Sequence, residues 1–349
     1  MRERIRIILA ALFYYSGLVR FLLWLKERRA GRQIIILNYH RATGGNLDKQ
    51  MRYLGRYYRV MHLDEGLEEL YASRTGGEKR QRGAGGRRDR RLPIVLTFDD
   101  AYLDNYTYGF ELARELRVPI TIFVIPGYIE SGAYFWWLAG EYLVEHTKVE
   151  KVTIQDRTYN LAQAAERKAL IQAIDGYARQ AASVAEREAF LNDIQVAMNV
   201  PLPRRTGSQD DKPDLPMTWA ELREMEESGW VSYGAHTMHH PVLIAVSNDA
   251  ELRYEVAESR RMLEERLGHS IRIFAYPIGK VRHIGDRGVK AVKEAGYEWA
   301  VSTIEEVGTP SSDPYLIGRL PGDIELHWLV MAAELVGLFG IVSRLRRKV

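Results

Sequence analysis

The chain has 349 residues, of which 46% are hydrophobic, and it contains no cysteine. This size allows one large α/β domain or two small ones, and the lack of cysteine excludes disulfides and thiolate metal sites, so any metal must bind histidine or carboxylate side chains. A net charge of only +3 argues against a nucleic acid as partner.

The most apolar stretch, residues 5–25, lies close to the N-terminus and has basic residues on both sides. We predict an apolar, basic-flanked helix within a separate N-terminal segment, residues 1–32. Three interpretations are open: a helix in the membrane interface, an anchor that spans the membrane, and a helix docked on its own domain. The stretch has no small-residue cleavage site, so we expect no cleavable signal peptide.

The first predicted strand, residues 33–38, is followed by His40, and helical patterns follow at 46–58 and 64–71. Residues 74–91 are rich in glycine and carry seven arginines and one lysine against two acidic residues. This composition is typical of a loop. The loop is either simply solvated or in contact with an anionic lipid or glycan.

Two adjacent aspartates, Asp99 and Asp100, stand at the end of an apolar strand predicted over residues 93–98. A helix at 104–116 and a strand at 118–125 come next, and this order indicates a parallel sheet. Successive side chains of a strand point to opposite faces. One aspartate can therefore bind a metal ion while the other accepts a proton.

Residues 134–217 interrupt the alternation of strands and helices with a long helical pattern at 161–199. An insertion after the C-terminal end of a strand lies on the active-site face of a barrel, so we expect this one to contribute to a substrate groove. The aromatic run Phe135-Trp136-Trp137 at its start either stacks on sugars or packs in a core.

The alternation resumes after residue 217 and continues to an apolar C-terminal helix at 325–343 with a basic tail. About seven strands alternating with helices indicate an α/β barrel. We place this barrel at residues 33–324 and a terminal helical segment at 325–349. The remaining predicted elements are helices at 218–228, 248–267 and 286–295 and strands at 230–235, 271–276, 298–303 and 315–320.

Three of the nine histidines, His236, His239 and His240, fall within five residues. On a helical turn, residues four apart share one face, so His236 and His240 can bind one ion; His236 with His239 is an alternative pair. One aspartate would complete three protein ligands with open positions, as in catalytic metal sites. Zinc fits this set best, with manganese, cobalt or nickel as alternatives. The chemistry indicated is metal-assisted hydrolysis of an amide or ester, with a second carboxylate as general base.

Together these residues resemble the polysaccharide deacetylases, carbohydrate esterase family four, over residues 33–320. Thr97-Phe98-Asp99-Asp100 followed by His236-Thr237-x-x-His240 matches the family's first two motifs, and Phe274-x-Tyr276-Pro277-x-Gly279 matches a form of the third. The resemblance implies a distorted (β/α)7 barrel in which Asp99 is the general base and Asp100, His236 and His240 hold the metal. The usual substrate is an N-acetylated hexosamine polymer or glycolipid, which yields a free amine and acetate.

The sequence departs from the family pattern in three places. Ala101 stands where glycine is usual, Ala275 where the third motif has an arginine, and Ile278 where a tyrosine is commoner. By the resemblance, the backbone N–H near Ile278 would help to bind the oxyanion. The resemblance also implies that this part of the chain binds the substrate, through Tyr276, Pro277, Ile278 and Gly279.

The family's last motif is displaced as well. Leu326-His327-Trp328 is a poor match to it, whereas Leu37-Asn38-Tyr39-His40 resembles the poly-N-acetylglucosamine deacetylases, which carry this motif at the N-terminus. A histidine is suited to protonate a leaving amine near neutral pH. His40 follows a strand on the rim that also carries Asp99, so we predict that His40 is the general acid.

The function predicted is therefore the metal-dependent removal of N-acetyl groups from a bacterial surface polysaccharide or its lipid-linked precursor. The alternatives are a catalytically inactive glycan-binding module on the same fold, and an O-acetyl esterase or deformylase that uses the same metal site. The apolar termini and basic segments predict contact with the bacterial inner membrane, on its cytoplasmic face. The sequence does not indicate an oligomeric state.

Overall fold

The computed structural model describes residues 2–29, 31–72, 89–207 and 212–339. Most of the predicted basic loop at 74–91, and the basic tail after residue 339, lie outside the described residues. What the sequence predicts for these two segments therefore stays a prediction.

Seven parallel strands form the centre of the molecule, in the order β10-β1-β3-β4-β7-β8-β9, with β2 paired to β3 beside this path. β5 and β6 form a separate antiparallel hairpin. The strands are β1 (Ile35–Tyr39), β2 (Arg59–Val60), β3 (Pro93–Asp99), β4 (Ile120–Val124), β5 (Lys151–Ile154), β6 (Arg157–Asn160), β7 (Val231–Ala235), β8 (Ile273–Ala275), β9 (Trp299–Val301) and β10 (Leu320–Pro321).

The sheet curls until its two ends meet. A parallel bridge joins Val301 of β9 to Ile317, and the amide of Ile317 donates to the carbonyl of Ala300 at 3.0 Å. A few residues later, β10 pairs in parallel with β1, where Leu320 lies opposite Leu37. The predicted distorted (β/α)7 barrel is thereby confirmed.

Both faces of this sheet are apolar, which explains why its strands appear in the sequence as continuous hydrophobic runs. Ile36, Val95 and Phe123 pack in one buried cluster, and Leu37 and Leu96 pack in another with the surrounding helices. Polar groups are therefore left to the strand ends. In a parallel barrel the C-terminal ends open on a single rim.

Helices cover the outside of the barrel, mostly at the positions that the sequence predicts. A wide π-helical turn, Asn105–Phe110, begins the helix predicted at 104–116. The described helices are α1 (Arg2–Tyr15), α2 (Leu18–Arg29), α3 (Leu47–Tyr57), α4 (Leu63–Tyr71), α5 (Glu111–Leu116), α6 (Pro126–Ser131), α7 (Trp136–His146), α8 (Ala164–Gln180), α9 (Val184–Met198), α10 (Trp219–Glu227), α11 (Asp249–Leu267), α12 (Val281–Glu294) and α13 (Trp328–Leu335).

The insertion folds around a core of its own. α7, α8 and α9 pack on one another and on the hairpin of β5 and β6, with Leu143, Leu170 and Ile174 among the buried contacts. The sequence analysis missed the hairpin. Each of its strands has only four residues, too few for a clear alternating pattern.

The sequence predicts one helix over the apolar stretch at 5–25, but the structure has two helices there. α1 and α2 meet at a 67° bend beside Gly17, whose φ of +81° is a left-handed conformation that glycine adopts without steric cost. Among the described residues, no single helix is both long and apolar enough to cross a membrane, although this bent pair passes on length and composition.

The inner face of the bent pair is docked on the barrel. Ala10, Val19 and Leu23 are buried in the main core, and the ring of Tyr14 packs edge-on against Trp328 of α13 at 5.1 Å. Three interpretations were open for residues 5–25. For the inner face of both helices, the one that holds is docking on the chain's own domain.

Candidate active site

Polar side chains from the ends of neighbouring strands meet in one pocket on the rim of the barrel. Asp99 is the last residue of β3, His40 directly follows β1, and His236 directly follows β7. The pocket has a volume of about 360 Å³. Its lining comprises His40, Arg41, Asp99, Asp100, Tyr102, Trp136, Trp137, Leu138, Arg179, His236, His240, Ile278 and Thr303.

Asp100, His236 and His240 form a compact buried group with the residue types of a metal site. Each offers one ligand atom, and these atoms lie within 4.8 Å of one another. Oδ1 of Asp100 is 3.5 Å from Nε2 of His236 and 3.6 Å from Nε2 of His240. Within the described ranges, no second group of histidines and carboxylates is arranged in this way.

A loop, not a helical turn, brings the two histidines together, so the helical geometry expected from their spacing is wrong. Thr237 and His240 have left-handed φ values of +64° and +55°, and the hydroxyl of Thr237 accepts a hydrogen bond from the amide of His240 at 2.9 Å. The ring of His239 points elsewhere, with Nδ1 2.6 Å from Oε1 of Glu255. The alternative pair of His236 with His239 is therefore not formed.

The protonation of the two rings suits a bound cation. Nδ1 of His236 lies 2.7 Å from the carbonyl oxygen of Ala275. Since a carbonyl only accepts, Nδ1 carries the proton and Nε2 presents its lone pair to the group. Burial lowers the pKa of His236 to about 4, and burial together with the charge of His236 lowers the pKa of His240 well below its usual value. Both rings are therefore neutral at pH 7.

The carboxylate of Asp100 also matches a metal ligand. Its Oδ1 is buried and has no hydrogen-bond partner in the described part of the chain. Burial and the charge of Asp99 raise the pKa of Asp100 well above its usual value, although Arg319 and Arg41 oppose this shift. A divalent cation would supply the missing partner and favour the ionised carboxylate. Two imidazoles and one such carboxylate therefore fit a metal ion.

Asp99 is held by a buried arginine that the sequence analysis did not single out. Nη1 and Nη2 of Arg319 donate to the two carboxylate oxygens of Asp99 at 2.7 and 2.8 Å, and neither side chain is more than 3% exposed. Burial alone would raise the pKa of Asp99, but the charge and hydrogen bonds of Arg319 bring it below its usual value. Asp99 is therefore ionised, fixed in orientation and able to accept a proton.

The position of Arg319 explains why it was missed. The sequence has Ala275 where the family motif has an arginine, whereas Arg319 reaches the site from the residue before β10, 220 residues away from Asp99 in the chain. Its Nε donates to the carbonyl of Ser302 at 3.1 Å. The only sequence signal was a single arginine within the otherwise apolar run at 316–320.

Replacing Arg319 with alanine should destabilise the protein and shift its pH dependence. The change leaves a buried carboxylate without its partner, which costs about 3–5 kcal/mol. Burial raises the pKa of Asp99, and the charge of Arg319 is the main one that opposes this shift. Without the guanidinium, the pKa of Asp99 should therefore rise. Because Asp99, as the predicted general base, must be ionised, the acid limb of the activity profile should move to higher pH. Urea unfolding and a pH profile of acetate release measure the two effects.

The matched control is Arg205→Ala, which breaks another buried bidentate pair. Nη1 and Nη2 of Arg205 donate to the carboxylate of Glu221 at 2.7 Å each. This variant should lose stability but keep the pH profile. Arg319→Gln, which removes the charge but keeps a hydrogen-bond donor, serves if the alanine variant does not fold. An Arg319 variant with an unchanged acid limb would contradict the role assigned to this side chain.

His40 faces the same pocket beside Asp99. Its Nε2 is 4.0 Å from Oδ2 of Asp99, and its side chain is 52% exposed. Loss of hydration in the pocket lowers the pKa of His40, the charge of Asp99 opposes this shift, and the charge of Arg319 adds to it. The carboxylate of Asp99 is thus the neighbouring group that favours a protonated His40.

The predicted substrate-binding segment contributes one side chain to the pocket wall. Ile278 lines the pocket, in a turn where its φ is +61°. Tyr276 instead packs in the main core, and its hydroxyl donates to the carbonyl of Tyr315 at 3.0 Å. Pro277 and Gly279 are also absent from the lining of this pocket as described. The structure therefore does not support substrate contact by the side chain of Tyr276.

The insertion forms one wall of the pocket, as predicted. Nε1 of Trp136 donates to the carbonyl of His240 at 3.0 Å, and the ring of Trp137 lies 4.4 Å from the imidazole of His240. Phe135 and Trp136 are buried, whereas Trp137 is half-buried. Phe135 therefore packs in the core of the insertion, whereas Trp136 and Trp137 line the pocket.

A parallel barrel with an ionised carboxylate beside an Asp/His/His group at its rim has the features of a metal-dependent hydrolase. Residues 86–300 match the family model described as polysaccharide deacetylase. The chain belongs to this family: it is a deacetylase that acts on acetylated carbohydrate, in a family whose members generally depend on a metal. No curated protein matches the sequence significantly.

Solved structures share the fold. The deacetylase PplD of Streptococcus pyogenes, in complex with acetate, is 15% identical, with a TM-score of 0.53 over 86% of this chain and 96% of that one. IcaB from Ammonifex degensii is 18% identical, with a TM-score of 0.52 over 87% and 97%. A de-N-acetylase from Aggregatibacter actinomycetemcomitans is 12% identical, with a TM-score of 0.51 over 86% and 98%. At these identities the likeness is one of fold.

Proposed function

We propose that the protein is a metal-dependent de-N-acetylase of amino sugars in a bacterial surface polysaccharide or its lipid-linked precursor. The observation that carries this proposal is the meeting of two kinds of group in one pocket: an ionised Asp99, with His40 4.0 Å away, and the ligand set of Asp100, His236 and His240. Amide hydrolysis needs both a proton acceptor for water and a proton donor for the amine.

Each polar group has a separate task in the proposed reaction. A divalent metal, for which we propose Zn²⁺ on Asp100, His236 and His240, would polarise the acetyl carbonyl and lower the pKa of a bound water. Asp99, kept ionised by Arg319, accepts the proton of the attacking water. His40 donates a proton to the nitrogen as the C–N bond breaks, so the amine leaves uncharged. One water is consumed, and acetate and a free amine are released.

The pocket walls support a sugar as the substrate. The half-buried ring of Trp137 faces the pocket, and its Nε1 donates to the hydroxyl of Tyr102 at 2.6 Å. The guanidinium of Arg41 lies 4.5 Å from the centre of the Tyr102 ring. Aromatic faces and fixed polar groups of this kind bind the apolar faces and hydroxyls of sugar rings.

Acetate release from defined substrates tests the proposal. Full-length protein loaded with Zn²⁺ should release acetate from oligomers of N-acetylglucosamine, with free amines detected by mass spectrometry, and Asp99→Asn should not. Acetate release only from O-acetylated glycans would show an esterase. Binding of the oligomers without any release, by metal-replete protein, would show an inactive glycan-binding module. Either result would contradict the proposed reaction.

We also propose that the protein lies on the cytoplasmic face of the bacterial inner membrane through the outer face of α1 and α2. Large apolar side chains there are strongly exposed, among them Ile8 at 61%, Leu12 at 62% and Phe21 at 55%. Exposed arginines accompany them, and the guanidinium of Arg28 covers the ring of Trp24 at 4.2 Å. An apolar stripe with basic residues is typical of helices that bind anionic bilayer surfaces.

The double variant Ile8→Glu/Leu12→Glu should bind anionic vesicles more weakly than the wild type. Both side chains are exposed, so the fold is retained, while two apolar contacts with lipid are lost; roughly tenfold or more in partitioning is expected. Sedimentation with phosphatidylglycerol vesicles measures the effect. The matched control Val196→Glu/Ile244→Glu changes two other exposed apolar residues and should partition normally. Equal partitioning of both double variants would exclude α1 from the contact.

A further inference from the structure

A second, larger cavity lies away from the pocket at the strand ends. Its volume is about 840 Å³, and it is bordered by α1 and α2 on one side, by the outer face of β1 and β10 on another, and by α13 and the residues after it. Protein interiors are normally close-packed, with few voids larger than a water molecule. A space of this size between a sheet and its covering helices therefore falls within the range of ligand pockets, roughly 300–1,000 Å³.

The shape of the cavity is elongated. Its lining follows the extended chain from Gln33 through β1 to Tyr39, a length of about 20 Å at a rise of about 3.3 Å per residue. Side chains on one face of the strand alternate with those on the other, so every second residue contributes. The apolar lining residues include Ile35, Leu37, Leu320, Met331, Leu335 and Phe339.

Three of the charged side chains that line the cavity are bonded within the chain. Arg6 of α1 forms an ion pair with Glu334, and Nζ of Lys26 donates to the carbonyl of Leu335 at 2.9 Å. The side chains of Arg6 and Glu334 therefore compensate each other's charge in the cavity wall. An apolar chain matches the apolar lining and the elongated shape.

We propose that this cavity holds one acyl chain of a membrane lipid. The same two helices that wall the cavity present the exposed apolar stripe of Ile8, Leu12 and Phe21 on their outer side. A bilayer in contact with the stripe would place lipid chains directly beside the cavity. Removal of the cavity's apolar lining from water provides the binding energy. This inference rests on the proposed membrane contact and is independent of the deacetylase reaction.

Binding of a fluorescent fatty acid, cis-parinaric acid, to the full-length protein tests the proposal. The wild type should bind the probe saturably, at about one molecule per chain, and palmitate should displace it. Met331→Trp and Leu326→Trp each place an indole in the cavity from a different segment of its wall. Because the indole occupies the space of the chain, each variant should bind the probe about tenfold more weakly or worse.

Val196→Trp is the matched control, because it adds the same indole at a site that is 74% exposed in the insertion; it should bind the probe as the wild type does. Thermal melting and acetate release from a soluble oligomer identify which filled variants have kept their fold. If the wild type does not bind the probe saturably, the proposal is overturned. Normal binding by a well-folded Met331→Trp or Leu326→Trp would overturn it too.

Discussion

His240→Ala should abolish deacetylation and most metal binding together. His240 supplies one of only three protein ligands in the group, with its Nε2 3.6 Å from Oδ1 of Asp100. Loss of a ligand opens the site, and the electrostatic stabilisation that a metal gives to the transition state is worth several kcal/mol. A loss of about 4 kcal/mol corresponds to roughly 10³-fold in rate. Elemental analysis and the rate of acetate release measure the two effects on the same preparation.

The neighbouring histidine provides a close control. His239→Ala removes an identical ring one residue away, but this ring is bonded to Glu255. The carboxylate of Glu255 would still accept from the backbone amide of residue 239, as it does at 2.8 Å in the native chain. His239→Ala should therefore keep its metal. Full metal content in His240→Ala, or metal loss in His239→Ala alone, would show that the ligand set has been assigned incorrectly.

His40→Ala should keep both fold and metal but lose about 10²–10⁴-fold in turnover, the usual contribution of a general acid. The ring is half exposed in the pocket. The backbone carbonyl of His40, which accepts from Nδ2 of Asn105 at 3.0 Å, is kept in the alanine variant. Removal of the ring should therefore affect the reaction and not the core. Turnover, metal content and melting temperature together distinguish a lost proton donor from a damaged fold.

The control for this variant is His327→Ala. His327 belongs to Leu326-His327-Trp328, the poor match to the family's last motif, and it caps α13, with Nδ1 accepting from the amide of Leu329 at 3.3 Å. It does not line the pocket at the strand ends. Its replacement should cost some stability and little activity. Near-normal turnover by a folded, metal-replete His40→Ala would refute the general-acid assignment.

Much of the fold was readable from local patterns. The strands that end at Asp99 and before His40 and His236, and helices such as α3 and α11, lie close to the predicted ranges. Periodicity and buried apolar runs reflect contacts with the core that repeat along one element. Once the strands are parallel, their C-terminal ends share a rim, so the meeting of the two motifs followed from their positions after strands.

Features that depend on contacts between distant segments were not readable in this way. The length of 5–25 suggested a single helix, but the break beside Gly17 lets α1 and α2 each bury an inner face on the barrel. The presence of His240 and not His239 in the candidate metal group depends on the left-handed backbone of Thr237 and His240. The sequence allowed both pairs, because spacing alone does not specify backbone dihedral angles.

The sequence by itself determined the class of fold, through the alternation of strands and helices. It also determined the two aspartates and the cluster of three histidines as candidates, because each is a local pattern of residue types at the end of a strand. Only the tertiary structure decided what surrounds them. Arg319 reaches Asp99 across 220 residues because barrel closure sets β10 beside β1, and Tyr276 is withdrawn into the core by its bond to Tyr315. These partners are chosen by packing between elements, which no property of either segment alone specifies.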